Sequence, residues 1–208
     1  AEELSTIVEH RVVLREALSD AWQGAGDYTK AQAALQRTLN EQGGDPSYVV
    51  RTELHMAGVL DRAGDVVGAQ ALYGRVAMTD IDPLISAAAF FGEATLLRRI
   101  GKADAALPMM DQAMVILPAQ NSLRGVIAVE RAELLVELGR GSVGEVESML
   151  AEARDVGFDR EQPEAFAELL LLLANEMMAE GRGEDGLRIY QRVKNSGEAS
   201  TSPSLTKS

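Results

Sequence analysis

The stretch FFGEATLLRRIGKADAALPMMDQAMVILP, from Phe90 to Pro118, decides the fold, because it predicts two helices folded back on each other around Gly101. Apolar residues recur at helical spacing on both sides of this glycine, and glycine is the residue that most often ends a helix. A hairpin of this size has an apolar face that it cannot bury alone. We therefore expect the rest of the chain to supply similar hairpins.

Such hairpins precede and follow the central one. The glycines that close the first helix of each pair lie 37 to 42 residues apart: Gly26, Gly64, Gly101, Gly139 and Gly181. Internal periodicity in this range is typical of a solenoid. The sequence therefore predicts an all-α solenoid of about five antiparallel helix hairpins over residues 1–194.

Small residues recur at fixed positions beside these glycines. Seven positions before them stand Ser19, Ala57, Ala94, Ala132 and Ala174, and five positions after them stand Ala31, Ala69, Ala106, Gly144 and Gly186. Small side chains at paired positions let the two helices of a hairpin approach closely. The fourth hairpin departs from this register, since Val146 and Leu150 predict a turn that is two residues longer.

Several of these residues resemble the tetratricopeptide repeat. The resemblance rests on Gly-Asp-Tyr-x-x-Ala at 26–31, on Gly64-Asp65 with Ala69, and in the central hairpin on Ala94, Gly101, Ala106, Ala113 and Pro118. It covers about nine tenths of the chain, although the period is longer than the 34 residues that the family favours. The resemblance implies a right-handed superhelix whose first helices line a concave binding surface.

Composition restricts the partners. The net charge of −12 opposes binding to nucleic acid and to anionic membrane surfaces, and the longest apolar run, 169–174, is far too short to span a membrane. The chain has no cysteine, which fits the cytoplasm and the periplasm equally well. The localisation therefore stays open. Because the chain starts at Ala1, we expect that something upstream has been removed.

The C-terminal residues 195–208 are mostly polar, with several Ser and Thr, a Gly and a Pro, and they contain one large apolar residue, Leu205. Such a segment cannot bury enough surface to offset the entropy of ordering it. We predict a disordered tail that follows the repeat domain.

Enzymatic motifs are missing from the sequence. There is no phosphate-binding glycine loop, nucleophile elbow or metal-spaced histidine pair, and His10 and His55 lie on the first helices of different hairpins. We therefore expect no catalytic activity, no cofactor and no metal.

The resemblance places the candidate partner-binding residues on the first helices. They are basic and apolar in the middle of the predicted groove: Arg51, Leu54, Arg62, Phe91, Thr95, Arg98 and Arg99. Acidic residues such as Glu16 and Asp20 flank them. The arginines would hold a carboxylate of a partner peptide, or they would pair with acids such as Asp61 and Glu93 at helical spacing.

The sequence thus predicts a non-catalytic scaffold or adaptor that binds a peptide or helix of another protein on its concave face. The resemblance implies a module of a larger assembly, such as a bacterial secretion or envelope complex. The alternative is a helical-repeat sensor for a small peptide or metabolite, which would need a closed pocket around Phe91 and Arg98. The apolar helix around Leu169–Leu173 predicts either burial or self-association through the C-terminal hairpin.

Overall fold

The computed structural model describes residues 2–41 and 46–201, and within these ranges the side chains of 10–41 and 46–195. The chain divides into two compact units, Ala1–Leu117 and Pro118–Ser208. The described part of the first unit consists of α1 Glu2–Gly24, α2 Tyr28–Glu41, α3 Pro46–Ala63, α4 Val66–Ala77, α5 Pro83–Arg99 and α6 Ala103–Ile116. The described part of the second consists of α7 Ser122–Glu137, α8 Val143–Asp155, α9 Phe158–Glu161, α10 Pro163–Ala179 and α11 Gly183–Thr201.

The helices pack in the pairs that the sequence predicts. In the first unit α1 packs against α2, α3 against α4 and α5 against α6, and in the second α7 packs against α8 and α10 against α11. The pairs of the first unit also stack in order, because α2 packs against α3 and α4 packs against α5. In the second unit α8 packs against α10. Within each unit the architecture is therefore one of stacked helix hairpins.

All five predicted turn glycines adopt the left-handed conformation, with φ between 63° and 84°. At each one, the amide of the next residue donates to the carbonyl five positions back, as Asp65 does to Leu60 and Lys102 to Leu97, both at 2.9 Å. This is the Schellman ending of a helix, and it needs a residue without a Cβ at the hinge. The sequence interpretation of these glycines is confirmed.

The small residues lie between the paired helices. Ser19, Ala57, Ala94, Ala132 and Ala174 are fully buried, as are Ala31, Ala69 and Ala106. In the last hairpin, a Cβ at Gly186 would lie 2.7 Å from the carbonyl oxygen of Ala174. In the fourth hairpin Gly144 is exposed and Val146 is buried, so the predicted longer turn is confirmed.

The short helix α9 was not predicted. It follows Gly157, whose φ of 81° reverses the chain after α8, and it buries Phe158 against α7. A Cβ at Gly125 would lie 2.8 Å from the Cβ of Phe158, so glycine at this position of α7 makes room for the aromatic residue. A four-residue helix has no periodicity from which it could be predicted.

The predicted domain boundary at residue 194 falls inside α11, which continues to Thr201. The remainder of the predicted tail, residues 202–208, lies outside the described residues. The division into a repeat domain and a disordered tail stays a prediction.

A capping box opens α8. The Ser142 hydroxyl accepts from the Glu145 amide at 3.3 Å, and the Ser142 amide donates to the Glu145 carboxylate at 3.1 Å. Hydrogen bonds from the Ser142 amide and hydroxyl hold the pKa of Glu145 below its ordinary value of 4.5. The stability that the ionised Glu145 carboxylate contributes is therefore fully present above pH 4.5, its ordinary pKa. This stability is lost as the pH falls through the lowered pKa of the folded state.

We expect Ser142→Ala to destabilise the second unit by about 1 kcal/mol, the usual cost of losing a serine cap. The substitution should also move the pKa of Glu145 part of the way back toward its ordinary value, because the backbone donor remains. A pH titration of the Glu145 carboxyl by NMR measures this shift directly. An unchanged pKa would contradict the capping box.

Candidate functional site

The first helices of the first unit, α1, α3 and α5, lie side by side, since α3 packs against both of the others. The predicted partner-binding residues are on two of them: Arg51, Leu54 and Arg62 on α3, and Phe91, Thr95, Arg98 and Arg99 on α5. We call the surface formed by α1, α3 and α5 the first-helix face.

The apolar and hydroxyl residues of this face are half-buried. Leu54 packs against the core cluster that contains Ala57 and Tyr73, and Phe91 keeps part of its ring exposed. The hydroxyl of Thr95 donates to the Gly92 carbonyl at 2.9 Å within the same helix. These side chains are therefore fixed in position while part of each stays accessible.

Two arginines at equivalent repeat positions tie the first helices together. Arg62, two residues before its turn glycine, donates to the side-chain carbonyl oxygen of Gln23 on α1. Arg99, two residues before the next turn glycine, forms an ion pair with Asp61 on α3. Gln23 and Asp61 each lie three residues before their own turn glycine, so the same lateral contact occurs twice. The partners come from neighbouring hairpins and are not spaced along one helix.

A third arginine holds a buried acid. Arg51 on α3 contacts the Glu16 carboxylate of α1 at 2.6 Å, and Glu16 is only 4% exposed. The prediction that Glu16 flanks the groove as an exposed acid is wrong, because the side chain points between α1 and α3. The second carboxylate oxygen of Glu16 and the Ser19 hydroxyl are buried without a hydrogen-bond partner among the described residues.

The lateral pairs do not bury the guanidinium groups. The side chains of Arg51 and Arg99 remain 47% and 50% exposed, and an arginine has five N–H donors of which these pairs use few. Arg98 is half-buried and has contacts of its own. Chemically, the first-helix face can offer cationic hydrogen-bond donors beside Leu54 and Phe91.

A cavity of about 530 Å³ lies elsewhere in the first unit, between α2, α3 and α4. Its floor is apolar, with Met56, Leu60 and Leu72, and Glu53 and Arg75 form a 2.9 Å ion pair at its edge. Its lining includes none of the predicted binding residues. A gap between stacked second helices leaves no distinctive sequence motif, which is why the sequence did not reveal this cavity.

The C-terminal hairpin buries part of its apolar surface, and Leu170, Leu171 and Leu172 are half-buried. Leu169, Leu173 and Met177 are at most 4% exposed, while Met178 and Leu187 are 52% and 56% exposed. Self-association through this hairpin stays a prediction.

The part of the chain that the structure describes contains no group of three or more His, Asp or Glu side chains placed to hold a metal ion. Within the same ranges, no helix has the length and apolar character needed to cross a bilayer.

Neither a protein-family model nor a curated protein matches this chain. Solved structures do match its fold. The chain is similar to a putative kinesin light chain from Podosopora anserina with nearly identical TPR-like repeats, at a TM-score of 0.68 and 14% identity over 93% of this chain and 98% of that one.

Two further structures agree with this. BtubC from P. vanneervenii gives a TM-score of 0.72 at 17% identity, covering 100% of this chain and 91% of that one. MamA from Desulfovibrio magneticus RS-1, residue 41 to its end, gives 0.63 at 14% identity, covering 92% and 98%. The protein therefore has a TPR-like α-solenoid fold, and the predicted fold class is confirmed.

Proposed function

We propose that this protein is a non-catalytic scaffold or adaptor that binds an extended segment or a helix of another protein on the first-helix face. The observation that carries the proposal is the pair of repeated lateral contacts, Gln23–Arg62 and Asp61–Arg99, between neighbouring first helices. Stacked hairpins expose a continuous surface made from equivalent positions of successive repeats, and such surfaces are suited to long, thin ligands.

The lateral contacts favour binding because they orient the arginines in advance. An arginine held by one partner has already lost much of its side-chain freedom, so a ligand pays less entropy to engage its remaining donors. Carboxylates suit these donors because a guanidinium can hold them through two parallel hydrogen bonds. Leu54 and Phe91 would contact apolar side chains of the same segment. We infer a partner segment that carries both acidic and apolar residues.

The sensor alternative requires a closed pocket around Phe91 and Arg98. The cavity of about 530 Å³ is lined by other residues, from α2, α3 and α4, so it does not support the sensor in that form. The sensor hypothesis stays a prediction.

A photo-crosslinking experiment tests the proposed face. Phe91 is replaced by p-benzoylphenylalanine, which keeps an aromatic ring at this half-buried position, and the protein is irradiated in an extract of the native organism. We expect a discrete adduct that mass spectrometry identifies as a protein. The matched control carries the same group at Val115, which is 81% exposed. Val115 lies on α6, the second helix of its hairpin and therefore outside the first-helix face.

Charge reversal at Arg62 supplies the second half of this test. Arg62 contacts the neutral amide of Gln23, and an amide can donate as well as accept, so Arg62→Glu does not place two like charges side by side within the protein at this contact. We expect it to weaken capture by about tenfold, because a repulsive charge then faces an acidic partner. Arg160→Glu, at a side chain that is 83% exposed in the second unit, is the control. Equal adducts from Phe91 and Val115, or unchanged capture by the Arg62 variant, would refute the proposal.

A further inference from the structure

A second candidate surface emerges from the stacking register of the hairpins. Eight residues before the turn glycine, the first helix carries a side chain that faces the preceding hairpin. The residue twelve before the glycine lies one turn earlier on the same side of the helix. In α3 these are Thr52 and Met56, and α2 packs on that helix. In α10 they are Leu169 and Leu173, and α8 packs there. All four are buried, with Leu173 at 4% and Met56 at 7% exposure.

The same two positions are exposed in the first hairpin. They hold Leu14, which is 68% exposed, and Leu18, which is 47% exposed. Eleven residues after the turn glycine, this hairpin has Arg37 where the last hairpin has Arg192. The outer face of α1 and α2 therefore repeats the Leu, Leu and Arg on which the last hairpin receives α8. An exposed apolar patch with this pattern indicates an interaction site.

The cavity on this face shares lining positions with a groove that lies between α8 and the last hairpin. In the second unit a groove of about 200 Å³ is lined by Leu173 and Arg192, with Glu147 and Arg154 contributed by α8. In the first hairpin a cavity of about 330 Å³ is lined by the equivalent Leu18 and Arg37, together with Trp22. The first hairpin thus has the groove positions that α10 and α11 supply in the second unit, but none of the described helices takes the place of α8.

Charge identifies the occupant of that groove. Arg11 and Arg37 are exposed and have no partner among the described residues, although the chain as a whole carries −12. Arg15 lines the same cavity and is paired with Glu41 at 2.6 Å. Lys30 lies 4.4 Å from the centre of the Trp22 ring and closes one side. Lys30 is also paired with Asp27 at 2.6 Å, so the charge of this face comes from Arg11 and Arg37. An apolar strip beside these two cations fits a helix that has an apolar ridge and acidic flanks.

A second copy of this chain seated through α11 fits less well. Beyond the first turn of α11, the charged side chains that the structure describes are Arg188, Arg192 and Lys194. These have the same sign as Arg11 and Arg37, so the two surfaces would repel.

We propose that the outer face of the α1–α2 hairpin docks an acidic amphipathic helix of a partner protein, packed on Leu14 and Leu18 as α8 packs on α10. This site is separate from the first-helix face.

The test uses a peptide with the sequence of α8, the helix that packs on α10 in the second unit. A fluorescent peptide with the sequence of Ser142–Asp155 is held helical by a side-chain staple on its polar face, so that helix formation does not limit binding. Its residues that line the groove of the second unit are Leu150 and Ala151, with Glu147 and Arg154 beside them, and it also carries acids at Glu145, Glu152 and Asp155. We expect saturable binding to the full chain by fluorescence anisotropy.

Two variants localise the binding. Leu14→Ser with Leu18→Ser should weaken it by about tenfold or more, as expected for apolar anchors at the centre of an interface. Arg37→Glu should weaken it and reduce its salt dependence. The controls are Val67→Ser with Val115→Ser, both 81% exposed on other helices, and Arg160→Glu. Because the substituted side chains are exposed, far-UV circular dichroism and the thermal midpoint should match those of the parent.

Three results would overturn the proposal. The first is absence of binding, or equal binding by the serine variants. The second is equal binding of a stapled peptide with the same composition in scrambled order, which would reduce the interaction to charge alone. The third is a dimer of the parent chain, seen by sedimentation and lost in the serine variants, which would make a second copy the occupant.

Discussion

Replacing Gly186 with alanine is expected to destabilise the second unit by about 1–3 kcal/mol, as overpacking of a closely packed site does. Gly186 is buried where α11 crosses α10, and an added Cβ would lie 2.7 Å from the Ala174 carbonyl oxygen and 2.9 Å from the Met178 Cγ. The side chain of Met178 can move, but the backbone carbonyl cannot do so without shifting α10. The clash therefore outweighs the gain in helix propensity, which is about 1 kcal/mol for alanine over glycine.

Gly144 supplies the matched control for this substitution. It occupies the same position, five residues after its turn glycine, but a Cβ there would meet nothing within 4 Å. Gly144→Ala should therefore leave stability unchanged or raise it by up to about 1 kcal/mol. Amide hydrogen exchange in α10 and α11 measures the effect on the unit. If both variants behaved alike, close helix contact at Gly186 would be refuted.

The repeat register could be predicted because it depends on local chemistry. A Schellman ending needs a residue that tolerates positive φ. The glycine at each turn can therefore be recognised in the sequence without knowing how the hairpins pack. The small residues on either side of each hinge follow from the geometry of two helices in contact. The fourth hairpin was also predictable, since Val146 replaces Gly144 as the buried residue once the turn is longer.

The spacing of the pairs that Arg51, Arg62 and Arg99 form could not be predicted. The sequence suggests Asp61 as a pairing acid at helical spacing, whereas these three arginines pair with residues of other hairpins. Arg99 and Asp61 are 38 residues apart, and Arg51 and Glu16 are 35 apart. Helical spacing suggests only neighbours three or four positions away. Once the register is known, however, the repeated contact of Gln23 with Arg62 and of Asp61 with Arg99 joins fixed positions of successive hairpins. The alignment of repeats, and not local spacing, was the signal that could have revealed them.

The burial of Glu16 was missed for a related reason. On one helix, Glu16 lies among exposed residues such as Val13 and Asp20, and only the approach of α3 covers it. The outer face of α1 shows the opposite case. Leu14 and Leu18 have the pattern of buried core residues, yet they are exposed because none of the described helices covers them. Periodicity predicts which face is apolar but does not predict which neighbour is present.

Arg51→Met is expected to destabilise the first unit by about 2 kcal/mol. Removing one member of a fully buried ion pair costs roughly 3–5 kcal/mol, because the other charge is left uncompensated. Here Glu16 is 4% exposed while the Arg51 side chain is 47% exposed, so water compensates part of the loss and the cost is smaller. Trp22 is the single tryptophan and lies in the first hairpin, so its fluorescence during urea unfolding reports on this unit.

A double substitution separates the role of the pair from the loss of packing. If the cost arises from the stranded carboxylate, Glu16→Met with Arg51→Met should recover most of the stability, because an apolar pair of similar volume often replaces a buried ion pair at no cost. If instead Arg51 stabilises α1 and α3 through its packed methylenes, adding Glu16→Met to Arg51→Met should lower the stability further. Additive losses would contradict the ion-pair interpretation. Recovered stability together with lost partner capture would separate the binding role of Arg51 from its structural role.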